Sequence, residues 1–244
     1  MIPLHDDNPT ELTPIVTIAL IIACSLVFFY EVSLPEQIGE TFIFQYGAIP
    51  SVVLGHPAGL KALPPEAAGF PAYLSLLTSM FLHGGWMHLI GNMLYLWIFG
   101  NNIEDVMGHV KFIVFYVTCG ILAALSHALT DPASTVPMVG ASGAISGVLG
   151  AYLLLFPHAK VLVLIPLGMF TRMMYVPAGF VLGFWFVMQI LSGGMSLGSK
   201  GGGVAFFAHV GGFVAGMALI GLFKRPDVRF FAPARNRGWQ RSEW

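Results

Sequence analysis

The stretch VGASGAISGVLGAYLLLF, residues 139–156, is apolar almost throughout and carries small residues at spacings of three and four. Its length and apolar character predict a helix that crosses a membrane. Small residues at these spacings let two membrane helices approach until their backbones touch. The stretch therefore predicts a tightly packed membrane helix, and another helix of the chain should present a matching small face.

The rest of the chain has the same apolar character. Of its 244 residues, 56% are hydrophobic and only 9% are charged, whereas soluble domains carry about a quarter charged residues. Such a chain could not cover its surface with polar groups in water. We therefore expect an all-α, polytopic membrane protein that forms one membrane domain. The net charge of −1 gives no indication of nucleic-acid binding.

Apolar runs bounded by charged, proline-rich or glycine-rich segments predict six membrane helices, and thus a six-transmembrane-helix bundle. The runs cover residues 14–32, 86–103, 112–129, 139–156, 175–191 and 204–223. The apolar stretch 161–170 makes the start of the fifth run uncertain. Segment 33–83 contains six prolines, and we expect a structured loop that lies partly in the membrane interface. The six-span core is thus 14–223, between a short N-terminal segment, 1–13, and a basic tail, 224–244.

The distribution of positive charge predicts how the bundle is oriented. The tail carries the cations Lys224, Arg225, Arg229, Arg235, Arg237 and Arg241. With six spans, both termini lie on the same side, together with Lys111, Lys160 and Arg172. Only Lys61 and Lys200 then lie on the other side. Because cytoplasmic loops carry the excess of Lys and Arg, we expect both termini to be cytoplasmic, in a plasma or inner membrane.

Polar residues inside predicted spans cost free energy unless they are partnered, so each is a candidate for function. His88 and Asn92 lie four residues apart, on one face of the second span. Both side chains can donate hydrogen bonds from nitrogen, which would suit the binding of a developing negative charge. The sequence leaves open that they bond instead to loops or to neighbouring helices.

Ser142 and His209 are the other two polar candidates. Gly140 and Gly143 flank Ser142 closely, although a lone serine in a membrane helix commonly bonds back to its own i−4 carbonyl. The sixth run offers a small face beside His209, formed by Ala205, Ala208, Gly212 and Gly216. Packing of this face against the fourth run would bring the serine hydroxyl and the imidazole together, as a nucleophile and its base.

The sequence also limits the chemistry of such a site. No Asp or Glu lies between Asp131 and Asp227, so the last three spans supply no third member of a catalytic triad and a Ser–His dyad is expected. A metalloprotease helix of the form H-E-x-x-H is absent, and no span interior contains an aspartate. A zinc site formed by His83, His88 and His209 is conceivable, but it would leave Asn92 and the glycine-flanked serine unexplained.

Three motifs together resemble those of the rhomboid family of intramembrane serine proteases. They are HGGWMHLIGN at 83–92, GASG at 140–143 and AHVGGFVAG at 208–216. The stretch FGNNIED at 99–105 looks like the usual end of the second helix in this family. Each motif is weak alone, but their order and separation fit the family over nearly the whole six-span core.

The resemblance implies a role for each candidate residue. Ser142 would be the nucleophile, and His209 would be its general base and then the acid for the leaving amine. His88, Asn92 and the backbone N–H of Ser142 would form the oxyanion hole. The helix-packing glycines near the site would be Gly140, Gly143, Gly212 and Gly216. The resemblance further implies membrane-protein substrates cut in or near a transmembrane segment, no cofactor and no metal.

Two features leave the interpretation open. Ser146 stands where the family often has an aromatic residue that stacks on the catalytic histidine, so another side chain must orient His209 or its orientation is looser. The glycine-rich loop 192–203 is a hypothetical lid over the site. The alternative functions are an inactive relative that binds transmembrane helices as a chaperone or adaptor, and a small transporter, whose expected intramembrane carboxylates we do not find.

Overall fold

The computed structural model describes residues 1–63, 65, 69–167, 170–196 and 204–232. The described residues are mostly helical, with one small sheet. The helices are α1 Ile15–Ser33, α2 Glu36–Tyr46, α3 Pro50–Val53, α4 Pro57–Lys61, α5 Ala72–Thr78, α6 Trp86–Tyr95, α7 Asn101–Met107, α8 His109–Thr130, α9 Ser142–Leu155, α10 Ala178–Ser196 and α11 Phe206–Phe223. The strands are β1 Ile2–Asp6, β2 Lys160–Leu167 and β3 Phe170–Pro177.

Helices occur in all six predicted spans, which confirms a polytopic helical membrane protein. Within the described residues, α1, α8, α10 and α11 are long and apolar enough to cross a membrane. The second span is continuous, because a π-helical turn, Leu96–Gly100, joins α6 to α7.

The fourth span, α9, is shorter than the others at 14 residues. It begins at Ser142, three residues later than the apolar run that predicted it, and every residue from 143 to 152 is buried. Because it is surrounded by the other helices, it does not need the length of a lipid-facing span. The serine therefore lies at the start of a central helix and not in its interior.

The predicted close packing of the fourth and sixth spans is confirmed. A Cβ atom at Gly212 of α11 would collide with the carbonyl oxygen of Gly143, and one at Gly216 with that of Gly147. A Cβ atom at Gly150 of α9 would likewise collide with the carbonyl oxygen of Phe213. The two backbones touch at these positions because glycine has no side chain to separate them.

The described residues of the long segment between the first two spans are structured, and they form α2 to α5. Its chain docks on the segment that leads into α9. The backbone N–H of Ala48 donates to the carbonyl of Met138 at 3.0 Å, and the N–H of Met138 donates to the carbonyl of Ala48 at 2.9 Å. These bonds hold the approach to Ser142 in place.

The sheet was not predicted. Strands β1, β2 and β3 pair antiparallel in that order. Residues 175–177, which we expected to open the fifth span, instead belong to β3, so that the span begins at Ala178. Strand β2 contains the β-branched residues Val161, Val163 and Ile165, which favour a strand, and it buries Val161 and Val163.

Buried acidic groups tie the N-terminal chain to the end of the second span. The carboxylate of Glu104 accepts hydrogen bonds from the backbone N–H groups of Val16 and Thr17, at 2.9 and 2.8 Å, and so caps α1. The Asp6 carboxylate in β1 accepts bonds from Asn102 Nδ2 at 2.9 Å and from the Tyr152 hydroxyl at 2.6 Å. The start of α1, the end of α7 and the sheet thus lie at one end of the bundle.

Part of two sequence predictions lies outside the described residues. Residues 192–196 of the predicted glycine-rich loop continue α10, which corrects the start of that loop, whereas 197–203 are not described. The tail after residue 232, with Arg235, Arg237 and Arg241, is also outside the described residues.

Candidate active site

The structure brings Ser142 and His209 into direct contact. Ser142 is the first residue of α9, and His209 lies in the first turn of α11. The Oγ atom of Ser142 and the Nε2 atom of His209 are 2.8 Å apart, which is hydrogen-bonding distance. His209 is only 9% exposed. The glycine contacts between α9 and α11 produce this pairing, because they hold the two helix starts at the same depth.

The other nitrogen of His209 contacts a residue that the sequence interpretation missed. Gln189 of α10 places its Oε1 atom 2.8 Å from His209 Nδ1. The Trp185 ring, one turn earlier on α10, lies 5.7 Å from the imidazole with an angle of 35° between the two planes. Gln189 is a polar amide inside a predicted span, and that property alone should have marked it as a candidate.

Ser146 occupies the position at which the family often has an aromatic residue, but its side chain bonds within its own helix. Its hydroxyl donates to the carbonyl oxygen of Ser142, one turn earlier, at 2.6 Å. This is the local back-bond typical of serine in membrane helices. Gln189 and Trp185 therefore supply the contacts with His209 that the sequence left unassigned.

His88 and Asn92 lie on the face of α6 that lines the same cavity as Ser142 and His209. The N–H of Gly84 donates to His88 Nδ1 at 3.3 Å, so a neutral His88 carries its proton on Nε2. Asn92 is 7% exposed, and its Nδ2 atom has no hydrogen-bond partner among the described residues. Both side chains thus have a nitrogen donor available to a ligand in the cavity.

Gly140 differs from the other three glycines that we expected to pack helices near the site. It lies before α9, and its φ of +120° favours glycine. A Cβ atom here would approach within 2.7 Å of the His88 ring. Its N–H donates to the carbonyl of Ser79 at 2.8 Å. Gly140 therefore makes room for His88 beside Ser142, and the three atoms nearest to an added Cβ belong to α6.

The cavity has a volume of about 890 Å³, within the range of ligand-binding pockets. Besides the four candidate residues, its lining includes polar residues from the end of α8 and the following segment. These are Thr130, Asp131 and Ser134. A polar lining allows water and an unwound polypeptide to enter a membrane domain, because backbone polar groups can then be satisfied.

The alternative zinc site is not formed. The His83 ring packs edge-on against that of His88, with centroids 5.3 Å apart, whereas His209 Nε2 faces Ser142. Across the described residues, no three His, Cys, Asp or Glu side chains come close enough to hold a metal ion. Burial lowers the pKa of His83 to about 4, so this side chain adds no charge beside His88.

Fold and site together define a helical polytopic membrane protein with a partly buried serine–histidine pair in a cavity that has polar residues in its lining. Residues 71–226 match the family model of the Rhomboid domain. The chain belongs to the rhomboid family.

Several curated relatives share this similarity. The chain is 33% identical over 148 residues to Rhomboid protein 1, mitochondrial, of Saccharomyces cerevisiae, which covers 59% of this chain and 40% of the relative. It is 30% identical over 176 residues to Presenilin-associated rhomboid-like protein A, mitochondrial, of Danio rerio. The match covers 67% of this chain and 43% of the relative. It is 41% identical over 78 residues to Rhomboid protease GluP of Bacillus subtilis. This match covers 32% of this chain and 15% of the relative. The chain thus spans less than half the length of each of these relatives.

Proposed function

We propose that this chain is an intramembrane serine endopeptidase that hydrolyses peptide bonds in or near transmembrane segments of other membrane proteins. The observation that carries the proposal is the 2.8 Å contact between Ser142 Oγ and His209 Nε2 in a cavity whose lining includes polar residues. Such a pair can turn a weakly nucleophilic hydroxyl into an attacking group. One relative is named as a protease, GluP of Bacillus subtilis, which supports the same chemistry.

The proposed reaction passes through an acyl-enzyme. Ser142 Oγ attacks the scissile carbonyl carbon while His209 Nε2 accepts the hydroxyl proton. The tetrahedral intermediate collapses when the same imidazole gives this proton to the leaving amine. Water then enters the cavity, loses a proton to His209 and attacks the acyl carbon. His209 returns this proton to Ser142 Oγ as the acyl bond breaks, which releases the second product and restores the Ser142 hydroxyl.

Three donors would stabilise the negative oxygen of the tetrahedral intermediate. They are His88 Nε2–H, Asn92 Nδ2–H and the backbone N–H of Ser142. The backbone N–H belongs to the first residue of α9, where helix N–H groups have no partner within the helix and the helix dipole favours negative charge. Such preorganised donors commonly supply the largest single part of catalysis in acyl transfer.

The proposed orientation has residues 1–13 and the tail 224–244 on the cytoplasmic side, with the site opening to the other side. It rests on the excess of Lys and Arg in the C-terminal tail and at Lys111, Lys160 and Arg172, which lie on the same side of the bundle. A backbone hydrogen bond from Arg225 to Val106 brings the end of α11 to the end of α7, and Ser142 starts α9 at the opposite end. The substrate would thus be cut toward the non-cytoplasmic face of a plasma or inner membrane.

The proposal is tested by cleavage of a single-span substrate after both proteins are reconstituted in liposomes. The wild type should cleave, and Ser142→Ala and His209→Ala should lose activity by several orders of magnitude. The first removes the nucleophilic hydroxyl, and the second removes the base that activates it. The control is Ser33→Ala, at the end of α1, where the exposed hydroxyl bonds to the carbonyl of Tyr30. It should cleave like the wild type.

Two results would contradict the proposal. Full activity in Ser142→Ala would exclude this serine as the nucleophile. Absence of cleavage by the folded wild type, together with retained binding of single-span proteins, would favour the adaptor function.

A further inference from the structure

Gln189 lies where it can control the base of the proposed protease. It is on α10, half-buried, and its Oε1 atom is 2.8 Å from His209 Nδ1. This contact lies on the side of the imidazole opposite Ser142, whose Oγ is 2.8 Å from Nε2. Ser142, His209 and Gln189 therefore form one hydrogen-bonded chain across α9, α11 and α10.

A second contact indicates which end of the Gln189 amide faces the histidine. The Nε2 atom of Gln189 lies 3.4 Å from the carbonyl oxygen of Trp185, one turn earlier on α10. A carbonyl oxygen can only accept, so the amide NH₂ is directed at Trp185. The amide oxygen, which also can only accept, is thereby left to His209.

The orientation of the amide determines the tautomer of His209. Because Oε1 accepts, His209 Nδ1 must carry the proton of the neutral ring, and Nε2 then has a free lone pair directed at the Ser142 hydroxyl. We propose that Gln189 is a positioning residue that holds His209 in this tautomer and orientation. The inference deepens the proposed function and rests on it for its catalytic consequence.

The rest of the site gives His209 few other means of orientation. No Asp or Glu occurs between Asp131 and Asp227 to accept a bond from Nδ1. Ser146 is bonded to the carbonyl of Ser142 and not to the imidazole. The Trp185 ring limits the tilt of the imidazole by packing beside it, but ring packing does not distinguish Nδ1 from Nε2. The amide of Gln189 makes that distinction.

The test compares two replacements of similar size. Gln189→Met removes the acceptor, whereas Gln189→Glu keeps an oxygen at the same reach. In liposomes, Gln189→Met should lower kcat by about 10- to 100-fold with little change in KM, because a misplaced base slows the chemical step and leaves substrate binding intact. Gln189→Glu should recover most of kcat. The control is Val187→Ala, at an exposed position on α10 two residues away, which should behave as the wild type.

A second measurement reports on His209 directly. In protein labelled with ¹⁵N-histidine, and with His209→Ala for assignment, the wild type should show His209 protonated on Nδ1 at neutral pH. Gln189→Met should lose this preference, and Gln189→Glu should keep Nδ1 protonated.

An unchanged tautomer and unchanged kcat in Gln189→Met would overturn the inference, as would an equal loss of kcat in Gln189→Glu. A wild type that does not cleave would instead contradict the proposed function, and the tautomer measurement would still decide the role of Gln189.

Discussion

Asn92 shows at the scale of one residue how the site departs from an ordinary membrane interior. Its amide nitrogen is buried and has no partner in the described part of the chain. A buried donor without a partner costs about 1–3 kcal/mol, and a site that binds a developing anion recovers this cost only during the reaction. Asn92 thus fits a residue kept for binding and not for stability.

We predict that Asn92→Ala lowers kcat by about 10²- to 10³-fold, the usual effect of losing one oxyanion donor. Thermal stability in detergent should stay level or rise, because the unpaired donor is removed. Both are measured on the purified variant. Asn101→Ala, at the opposite end of the same span, should keep the wild-type kcat. A stable Asn92→Ala protein with full kcat would exclude Asn92 from the oxyanion hole.

The sequence predicted the residues of the site better than their connections. Ser142 and His209 could be paired because each lies beside a small face, and small faces pack together. Gln189 could not be paired with His209 in the same way, since nothing in the sequence indicates which side of α10 faces α11. The polarity of Gln189 was visible, but its partner depends on the relative rotation of two helices.

At the scale of elements, the contact between α9 and α11 positions the site. We predict that Gly216→Ala destabilises the protein by about 1–3 kcal/mol, the usual cost of overpacking, because the new Cβ atom would collide with the carbonyl of Gly147. It should also lower kcat, since α11 carries His209 and must move away from α9. Unfolding in detergent and cleavage in liposomes measure the two effects.

Gly183→Ala is the matched control. It lies in α10, and nothing within 4 Å would meet its Cβ atom. Stability should be unchanged or slightly higher, because alanine favours a helix more than glycine does. If the two variants behaved alike, backbone contact between α9 and α11 would not be what positions the serine and the histidine.

The positions of the six spans depend on local sequence and were predicted, whereas boundaries that depend on distant pairing were missed. Charged and proline-rich borders located the six spans. The predicted start of the fifth span was three residues too early, because 175–177 pair with β2 and do not belong to the membrane helix. Strand β1 pairs with residues about 160 positions away along the chain, and no local sequence pattern predicts such a partner.

At the scale of the whole molecule, the chain separates two tasks between the two ends of the bundle. One end holds the sheet and the buried carboxylates of Asp6 and Glu104, which bond the N-terminal chain to the second span. The other holds Ser142, His209 and the cavity between the helices. The carboxylates of Asp6 and Glu104 are thereby kept away from the imidazole. The direction of this axis in the membrane stays a prediction from positive charge.

The activation of Ser142 by His209 is tested most directly by mass spectrometry of the full chain in liposomes after treatment with a fluorophosphonate, which reacts with activated serines. We predict a single phosphonyl adduct, located on Ser142, that is absent in Ser142→Ala and forms far more slowly in His209→Ala. A folded wild type without any adduct, or an adduct on another serine that persists in Ser142→Ala, would contradict the proposed active site.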